Sequence, residues 1–204
     1  MPNRYKLTQS YFLNSDVVSL AKQLLGCYIH TQINGNYCSG IITETEAYAG
    51  KNDKACHAHL GRFTERTKVM YEIGGIAYVY LCYGIHHLFN IVTNTAGNAD
   101  AILIRAAEPT EGVEHMLERR NKLKLTPQLT SGPGNFSKAF GITKQHNGLA
   151  VTEHQIWLSQ GTSITEKDIV ETTRIGIDYA EEDALLPWRF YLKENKFVSK
   201  KSHS

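Results

Sequence analysis

Five segments of this chain have the composition of β-strands, and helices do not alternate regularly with them. The clearest segment, 38–49, is rich in isoleucine, threonine and tyrosine, which favour extended structure. The other four are 77–83, 101–107, 174–177 and 189–192. Helical spacing of apolar residues is found at 16–26, at 109–124 and just after the turn at 131–134. This order predicts an α+β fold, a single domain over 1–204 with a mixed, largely antiparallel β-sheet and surrounding helices.

Two of the predicted helices have recognisable ends. Asp16 caps the start of the first and Gly26 follows its last turn. Pro109 is suited to open the second, which we expect to continue through Lys124 with Leu123 on its inner side. The segment 51–66 is polar and irregular, as is typical of a long functional loop.

Composition excludes several classes of protein. The 204 residues contain no apolar run of about 18 or more, so we expect no membrane-spanning helix. The first residues lack the apolar run of a signal peptide, so we expect a protein that is not secreted. The four cysteines are scattered without a CxxC pair, which predicts reduced thiols rather than a zinc site or a disulfide framework. We expect residues 1–8 and 200–204 to be flexible.

Charge is distributed unevenly along the chain. Between 166 and 183 there are seven acidic and two basic residues, whereas the rest of the chain carries a net charge of +7. The densest basic run is 119–124. Such a distribution fits a protein with a face that binds a polyanion, although a solvated helix face is the simpler explanation of a basic run.

The strand-like segment around Glu46 holds candidate catalytic residues. Alternation along a strand places Glu44, Glu46 and Tyr48 on one face, where a carboxylate beside an aromatic ring suits a general base. The alternative is the solvent face of a half-exposed strand. Arg105 lies in an otherwise apolar segment, so we expect it to pair with one of these carboxylates. That pair fits two roles equally well, holding a water molecule or acting as a structural ion pair.

Three tyrosines lie close together in a second strand-like segment. Tyr78 and Tyr80 share a face, whereas Tyr83 precedes Gly84 at the other face or at a turn tip. Strand tyrosines usually lie at the edge of a core, but an exposed one beside a turn is suited to stack on bases. Asn90 alone is compatible with reading a base edge or with capping a turn. Nucleophile-elbow, phosphate-loop, zinc-protease and dinucleotide-binding motifs are absent from the sequence.

Taken together, these segments resemble the alkyladenine (3-methyladenine) DNA glycosylase family. The resemblance covers residues 13–199 and is carried by an ordered set of motifs. They are 44–48 (ETEAY) with Asp53, His57, Arg62 and Arg66, then 78–80 (YVY), Tyr83-Gly84 and Asn90, then 103–106 (LIRA) with Glu108-Pro109, then 131–134 (SGPG), 174–176 (RIG) and 189–191 (RFY).

The resemblance implies a monofunctional glycosylase that excises alkylated or deaminated purines from duplex DNA. Glu46 matches the catalytic base that activates a water molecule. Arg105 and the backbone carbonyl of Ile175 match the groups that hold this water. Tyr83 matches the residue that intercalates into the stack when the damaged nucleotide is flipped out. Four positions match the base pocket: Tyr48, His57 and Tyr80 as its walls, and Asn90 as the residue that rejects the exocyclic amine of guanine.

The same resemblance implies partners and cofactors. Arg62, Arg66, Arg120 and Lys144 match or neighbour the basic residues that face DNA phosphates. No metal and no organic cofactor are implied, and neither is strand cleavage through a Schiff base. We expect a monomer, located in the cytoplasm or nucleoid of a bacterium or in the nucleus of a eukaryote. Two other interpretations remain open from the residues: a different carboxylate-dependent hydrolase acting on nucleosides or glycans, and a protein that flips damaged bases without cutting.

Overall fold

The computed structural model describes residues 5–201, and within them nine strands form one antiparallel sheet. The strands are β1 (Tyr28–Ile33), β2 (Asn36–Ala49), β3 (Ala77–Cys82), β4 (His86–Thr93), β5 (Asp100–Glu111), β6 (Thr152–Glu153), β7 (Ile156–Ser159), β8 (Ile169–Thr172) and β9 (Arg189–Leu192). The α-helices of this part of the chain are α1 (Val17–Gln23), α2 (Val113–Arg120) and α3 (Pro133–Phe140). The predicted α+β class with a largely antiparallel sheet is confirmed.

The 14-residue strand β2 is the central element of the sheet. β5 pairs along one of its edges, while β1 and β9 share the other edge. The main path of the sheet runs β3-β4-β5-β2-β1-β7-β6, and β8 joins through β9. Because β2 contacts three other strands, its residues near position 46 are enclosed on both sides.

The pairing of β2 with β5 is irregular where the candidate catalytic residues lie. Glu44 pairs with Ala106 and Thr45 with Ile104, so Arg105 is an extra residue on β5 at that point. Such bulges often redirect a side chain next to a functional site. Here Arg105 lines the same cleft as Leu103 and Glu46.

The opposite face of the sheet carries the main core, against which the three helices pack. Ala47 and Thr45 of β2 point to this side and are fully buried, and the Thr45 hydroxyl donates to the Ala21 carbonyl of α1 at 2.9 Å. Asp16 caps α1 as predicted, since its Oδ1 accepts from the Ser19 backbone N–H at 2.9 Å. The aromatic side chains buried in this core are those of Phe12, Phe89, Phe136, Phe140 and Phe190.

Two predicted elements are wrong in their position or type. Pro109 does not open a helix, because β5 continues to Glu111 and α2 begins only at Val113, after Gly112 takes a left-handed φ of 70°. A Cβ at Gly112 would lie 2.1 Å from the Tyr37 carbonyl oxygen, so the chain turns there at a position that only glycine fits. Leu123 lies beyond α2 and is fully exposed. The segment 174–177 is a loop rather than a strand.

The described ends of the chain are attached to the sheet. The Leu7 N–H donates to the Leu158 carbonyl at 2.9 Å, and Arg189 donates to the Lys200 carbonyl at 2.8 Å. The remaining residues expected to be flexible, 1–4 and 202–204, lie outside the described residues. No helix within residues 5–201 is long and apolar enough to span a bilayer. All four cysteines are free thiols.

Candidate active site

A cleft of about 630 Å³ opens on the sheet face opposite the main core. Its lining includes a row of paired residues across four strands, Tyr78 of β3, Asn90 of β4, Leu103 of β5 and Glu46 of β2. The row exists because antiparallel pairing aligns alternate side chains on one face. The row therefore brings together residues that lie as much as 57 positions apart in the sequence.

Glu46 is fully buried, yet its carboxylate belongs to the cleft wall. Its Oε2 accepts from the Tyr48 hydroxyl at 2.8 Å, and its Oε1 accepts from the Ile175 backbone N–H at 2.8 Å. Arg105 Nη1 lies 3.0 Å from the same Oε1. Three donors from three segments thus hold this carboxylate in one orientation. The solvent-face alternative for this strand is wrong.

Arg105 is 5% exposed and contacts both carboxylates of β2. Its Nε donates to Glu44 Oε1 at 2.8 Å, in addition to the contact with Glu46. Burial lowers the pKa of Arg105, but the charges of Glu46 and Glu44 outweigh it and the net shift is upward. The guanidinium is therefore a permanent cation that joins a structural carboxylate to one that faces the cleft.

Glu44 has a structural role, because its carboxylate binds groups from several segments of the chain. It is fully buried, and its oxygens accept from Arg189 Nη1 at 3.0 Å and from the Ser199 backbone N–H at 2.6 Å. The Ser199 hydroxyl adds a hydrogen bond of 2.7 Å. With Arg105, these donors occupy both oxygens of Glu44. Two carboxylates on the same face of one strand thus have different surroundings.

His57 forms part of the opposite wall with Tyr78 and Tyr80. Its Nδ1 lies 2.9 Å from the Tyr78 hydroxyl, and its Nε2 lies 3.1 Å from Arg66 Nη2. Its ring meets Tyr80 edge-on at 4.6 Å between centroids. Burial, followed by the charges of Arg66 and Arg62, lowers the pKa of His57 to about 4. The imidazole is therefore neutral at physiological pH.

Tyr48 and Tyr80 present aromatic surface to the cleft. Burial and then the charge of Glu46 raise the pKa of Tyr48 well above its usual value, and burial also raises that of Tyr80. Both phenols are thus neutral. On the floor, Asn90 is 4% exposed and its amide donates to the Tyr78 carbonyl at 3.1 Å, which fixes its orientation.

Tyr83 projects from the tip of the hairpin that joins β3 to β4. The side chain is 90% exposed and belongs to the rim of the cleft. Tyr83 and Gly84 both have positive φ, 49° and 72°, and the Ile85 N–H closes the turn on the Cys82 carbonyl at 3.1 Å. The turn, not a core position, thus sets the direction of this ring.

The four basic residues matched to phosphate contacts differ in their surroundings. Arg62 and Lys144 are exposed. Arg66 is exposed too, but its guanidinium lies within the cleft, over the Tyr80 ring. Arg120 is partly buried and donates to the Leu129 carbonyl at 3.2 Å and to the Gln128 carbonyl at 3.4 Å. Its guanidinium is thus bound to the segment after α2, so the structure does not support its grouping with the free surface cations.

A buried ion pair lies behind the cleft, and the sequence alone does not predict it. Arg174 and Asp53 are both fully buried in their side chains and form a two-pronged pair, one contact of which is 2.9 Å long. The guanidinium of Arg174 lies between the rings of Tyr48, at 4.9 Å, and Trp188, at 5.1 Å. This pair fixes the loop that carries Ile175. The polar loop 51–66 and the RIG motif contained both partners, but only the fold shows that they meet.

Among the described residues, no group of three or more histidine, cysteine, aspartate or glutamate side chains is arranged to hold a metal ion. The cleft itself combines a fixed carboxylate, a buried cation and uncharged aromatic rings. Such a site can accept a proton from water and can bind a flat, electron-poor ring between aromatic faces.

Comparison with known proteins agrees with this arrangement. A family model for methylpurine-DNA glycosylase (MPG) matches residues 11–196. The chain belongs to this family. Methylpurine-DNA glycosylases are DNA repair enzymes that hydrolyse N-glycosidic bonds, so this chain is a hydrolase whose substrate is DNA.

Several relatives support the same assignment at high identity. A protein of Chlamydia felis with the provisional name 3-methyladenine DNA glycosylase is 50% identical over 191 residues, which cover 93% of this chain and 97% of the relative. Proteins with the same provisional name from Bacillus cytotoxicus and Natranaerobius thermophilus are 44% and 42% identical. They cover 93% and 92% of this chain and 97% and 96% of their own lengths. The methylpurine-DNA glycosylase similarity thus extends over nearly the whole chain.

Proposed function

We propose that this glycosylase is monofunctional and excises alkylated or deaminated purines, of the 3-methyladenine, hypoxanthine and ethenoadenine class, from duplex DNA. The damaged nucleotide is flipped into the cleft, and a water molecule activated by Glu46 cleaves the N-glycosidic bond. The observation that carries the proposal is the fully buried carboxylate of Glu46 at the wall of an aromatic cleft, held by Tyr48, Ile175 and Arg105.

In the proposed reaction, the water oxygen bonds to the sugar carbon C1′ while the bond from C1′ to the purine nitrogen breaks. Glu46 takes the proton of the water, and the electron pair of the broken bond leaves with the purine. A cationic methylated purine leaves as a neutral base and needs no further proton, whereas hypoxanthine or ethenoadenine leaves as an anion that takes a proton from the solvent. The carboxylate also stabilises the positive charge that develops on the sugar.

The other cleft residues bind and select the base in this proposal. Tyr48, His57 and Tyr80 enclose the flipped purine, and their uncharged rings favour a cationic one. Asn90 lies on the floor, where its side chain collides with the exocyclic amine of guanine. Tyr83 fills the gap that the flipped nucleotide leaves in the stack.

The backbone of Ile175 makes a contact in the structure that differs from the one implied by the family resemblance. The matched role belongs to its backbone carbonyl, as a contact of the attacking water. In the structure its backbone N–H donates to Glu46 Oε1 at 2.8 Å. Ile175 therefore orients the carboxylate directly, and its carbonyl contact with water remains part of the proposal together with Arg105.

The test is single-turnover excision from duplexes that contain hypoxanthine, ethenoadenine or 3-methyladenine. Glu46→Gln should lower the rate constant by roughly 100- to 10,000-fold, because a positioned general base contributes on that scale. Binding to damaged duplex should stay within about tenfold of wild type, since stacking and phosphate contacts supply the affinity. The abasic strand should remain intact until alkali is added.

Glu108→Gln is the matched control, because Glu108 lies on β5 outside the cleft lining of the described chain and accepts from Asn195 at 2.7 Å. It should excise at the wild-type rate. Excision by Glu46→Gln within tenfold of wild type contradicts the role of Glu46. Tight lesion binding by wild type without any excision indicates instead a protein that flips bases without cutting.

The proposal includes the setting of the enzyme. A single chain supplies every group named above, so we propose that it acts as a monomer on double-stranded DNA. We therefore propose that the enzyme is located with the DNA, in the cytoplasm and nucleoid of a bacterial cell or in the nucleus of a eukaryotic one.

A further inference from the structure

Arg66 occupies an unexpected position for a residue matched to DNA phosphates. Its backbone lies in an exposed segment, yet its guanidinium turns into the cleft. Two of its contacts there bear on base binding. The guanidinium carbon lies 4.9 Å from the centroid of the Tyr80 ring, and Nη2 lies 3.1 Å from His57 Nε2. Both contacts fall on residues that the proposed function assigns to the base pocket.

The contact with His57 fixes the tautomer of the imidazole. A guanidinium only donates hydrogen bonds, so Nε2 must accept and carries no proton. The proton of the neutral ring is then on Nδ1, which donates to the Tyr78 hydroxyl at 2.9 Å. Arg66 therefore occupies the one acceptor atom that the His57 ring has available for a purine.

Through its contact with Tyr80, Arg66 also occupies the face of an aromatic ring in the pocket. The faces of tyrosine rings attract cations, and a guanidinium is a flat cation about as thick as a purine. Arg66 and Tyr80 both line the cleft, so the guanidinium covers the tyrosine on the cleft side. A methylated purine in DNA carries the same charge, and the neutral free base stacks on the same face, so neither can occupy it together with the guanidinium.

We propose that Arg66 makes the base pocket dependent on the DNA backbone and thereby discriminates against free purines. In the free protein its guanidinium occupies the Tyr80 face and His57 Nε2. Phosphates of bound DNA then draw the side chain out of the cleft and uncover both. This inference rests on the proposed function of the cleft as the base pocket.

The surroundings of Arg66 permit such a movement. The residue is exposed, and its long side chain reaches both the cleft and the solvent. Arg62, four positions earlier, is exposed as well, so a phosphate that approaches this segment meets two cations. A bidentate bond between arginine and phosphate is stronger than a contact with a neutral ring nitrogen. Glu65, the acidic residue between them, is paired with Lys68 at 2.6 Å.

The experiment compares Arg66→Gln with Arg62→Gln, two identical charge changes in one exposed segment. The first readout is the dissociation constant of free 3-methyladenine base, measured by calorimetry without DNA. The second is the affinity for a duplex containing ethenoadenine as a function of salt. Thermal unfolding and single-turnover excision of hypoxanthine are measured for each protein.

Arg66→Gln should bind the free base about fivefold or more tightly than wild type, because no guanidinium competes for the tyrosine face. The same variant should bind duplex DNA more weakly, with a log–log salt slope smaller by about 1. Arg62→Gln should show only the loss on DNA. Opposite effects on the two ligands are not expected from a residue that merely maintains the fold.

Equal or weaker binding of the free base by Arg66→Gln, relative to wild type, overturns the inference. An unchanged salt slope in Arg66→Gln overturns it as well, because the side chain then has no phosphate contact to move to. Failure of wild type to excise any lesion counts against the proposed function instead, and the free-base comparison distinguishes that outcome from a failure of the role of Arg66.

Discussion

Tyr83 is an aromatic residue held away from the core by its own backbone. The positive φ values at Tyr83 and Gly84 form a tight turn, and the ring is 90% exposed. Exposed aromatic rings beside the proposed base pocket are suited to enter a base stack. The ring therefore contributes little to the free energy of folding and is available to stabilise a flipped nucleotide.

Tyr83→Ala should reduce single-turnover excision most for hypoxanthine, which still pairs, and less for ethenoadenine, whose pairing edge is blocked. The melting temperature should remain close to that of wild type. Tyr5→Ala is a matched control, since Tyr5 is 72% exposed and belongs to the segment beside β7. A loss of roughly 3 kcal/mol in stability, as for a buried aromatic residue, together with an equal loss of excision on every lesion, would refute the proposed intercalation by Tyr83.

His57 also makes a prediction at the scale of one residue. Its folded pKa of about 4 lies below the ordinary value near 6.5, chiefly because the ring is buried. The unfolded chain therefore binds a proton at a higher pH than the folded chain does. The resulting stabilisation of the fold is fully present above about pH 6.5 and is lost as the pH falls toward 4.

His57→Gln should flatten the dependence of unfolding free energy on pH between 6.5 and 4.5. At roughly 1.4 kcal/mol per pKa unit, the difference from wild type across this range is on the order of 2–3 kcal/mol. Urea unfolding at both pH values measures it. His154→Asn serves as the control, since His154 is 91% exposed in its side chain. A wild-type slope in His57→Gln assigns the effect to another group.

The strand β2 carries two buried carboxylates with separate tasks. Glu44 joins β2 to β5 through Arg105, to β9 through Arg189, and to the C-terminal segment through Ser199. Glu46, two residues later, belongs to the cleft and accepts from Tyr48 and Ile175. The alternation of the strand places both on one face, and their partners determine what each does.

Glu44→Gln should destabilise the protein by about 3–5 kcal/mol, because it leaves Arg105 and Arg189 buried without the charge they share. Glu108→Gln, on the neighbouring strand, should cost about 1 kcal/mol or less because its carboxylate is partly exposed. Chemical denaturation measures both changes. A Glu44→Gln protein as stable as wild type would mean that the two arginines are satisfied by their other partners.

Across the whole molecule, the cations available to DNA are fewer than the basic residues in the sequence. Arg120 uses its guanidinium on the Leu129 and Gln128 carbonyls, and burial lowers its pKa. Lys54 pairs with Glu181 and Glu182 of the acidic segment. Arg62 and Lys144 remain exposed. The net charge of +7 outside residues 166–183 therefore overstates the positive charge that the surface offers to DNA.

Binding to duplex DNA should weaken with salt, and Arg62→Gln and Lys144→Gln should each lower the log–log slope by about 1. Arg120→Gln should leave the slope unchanged and lower the melting temperature instead, since it removes hydrogen bonds to two carbonyls. Fluorescence anisotropy between about 50 and 200 mM salt measures the slopes. An unchanged slope in both Arg62→Gln and Lys144→Gln places the DNA on another face.

Local sequence was sufficient for the features that depend on neighbouring residues. Residue types and alternation predicted strands that overlap β2, β3, β5 and β9, and an acidic cap with helical spacing predicted α1. Period-two alternation placed Glu44, Glu46 and Tyr48 on one face. Each of these features is fixed over a few residues, so composition and spacing are enough to indicate them.

Only the tertiary structure decided which distant groups meet. Continuation of β5 past Pro109 depends on pairing with β2, and the turn at Gly112 depends on the Tyr37 carbonyl. The position of Arg66 in the cleft and the hydrogen bonds of Arg120 to backbone carbonyls depend on how irregular segments turn, because each joins residues nine positions apart at no regular helical or strand spacing. A long side chain at the surface has many rotamers of similar energy. Its partner is therefore determined by the groups that the fold places within its reach. Sequence therefore determined the residue types available for chemistry here, whereas strand pairing and burial determined which of them share one cleft.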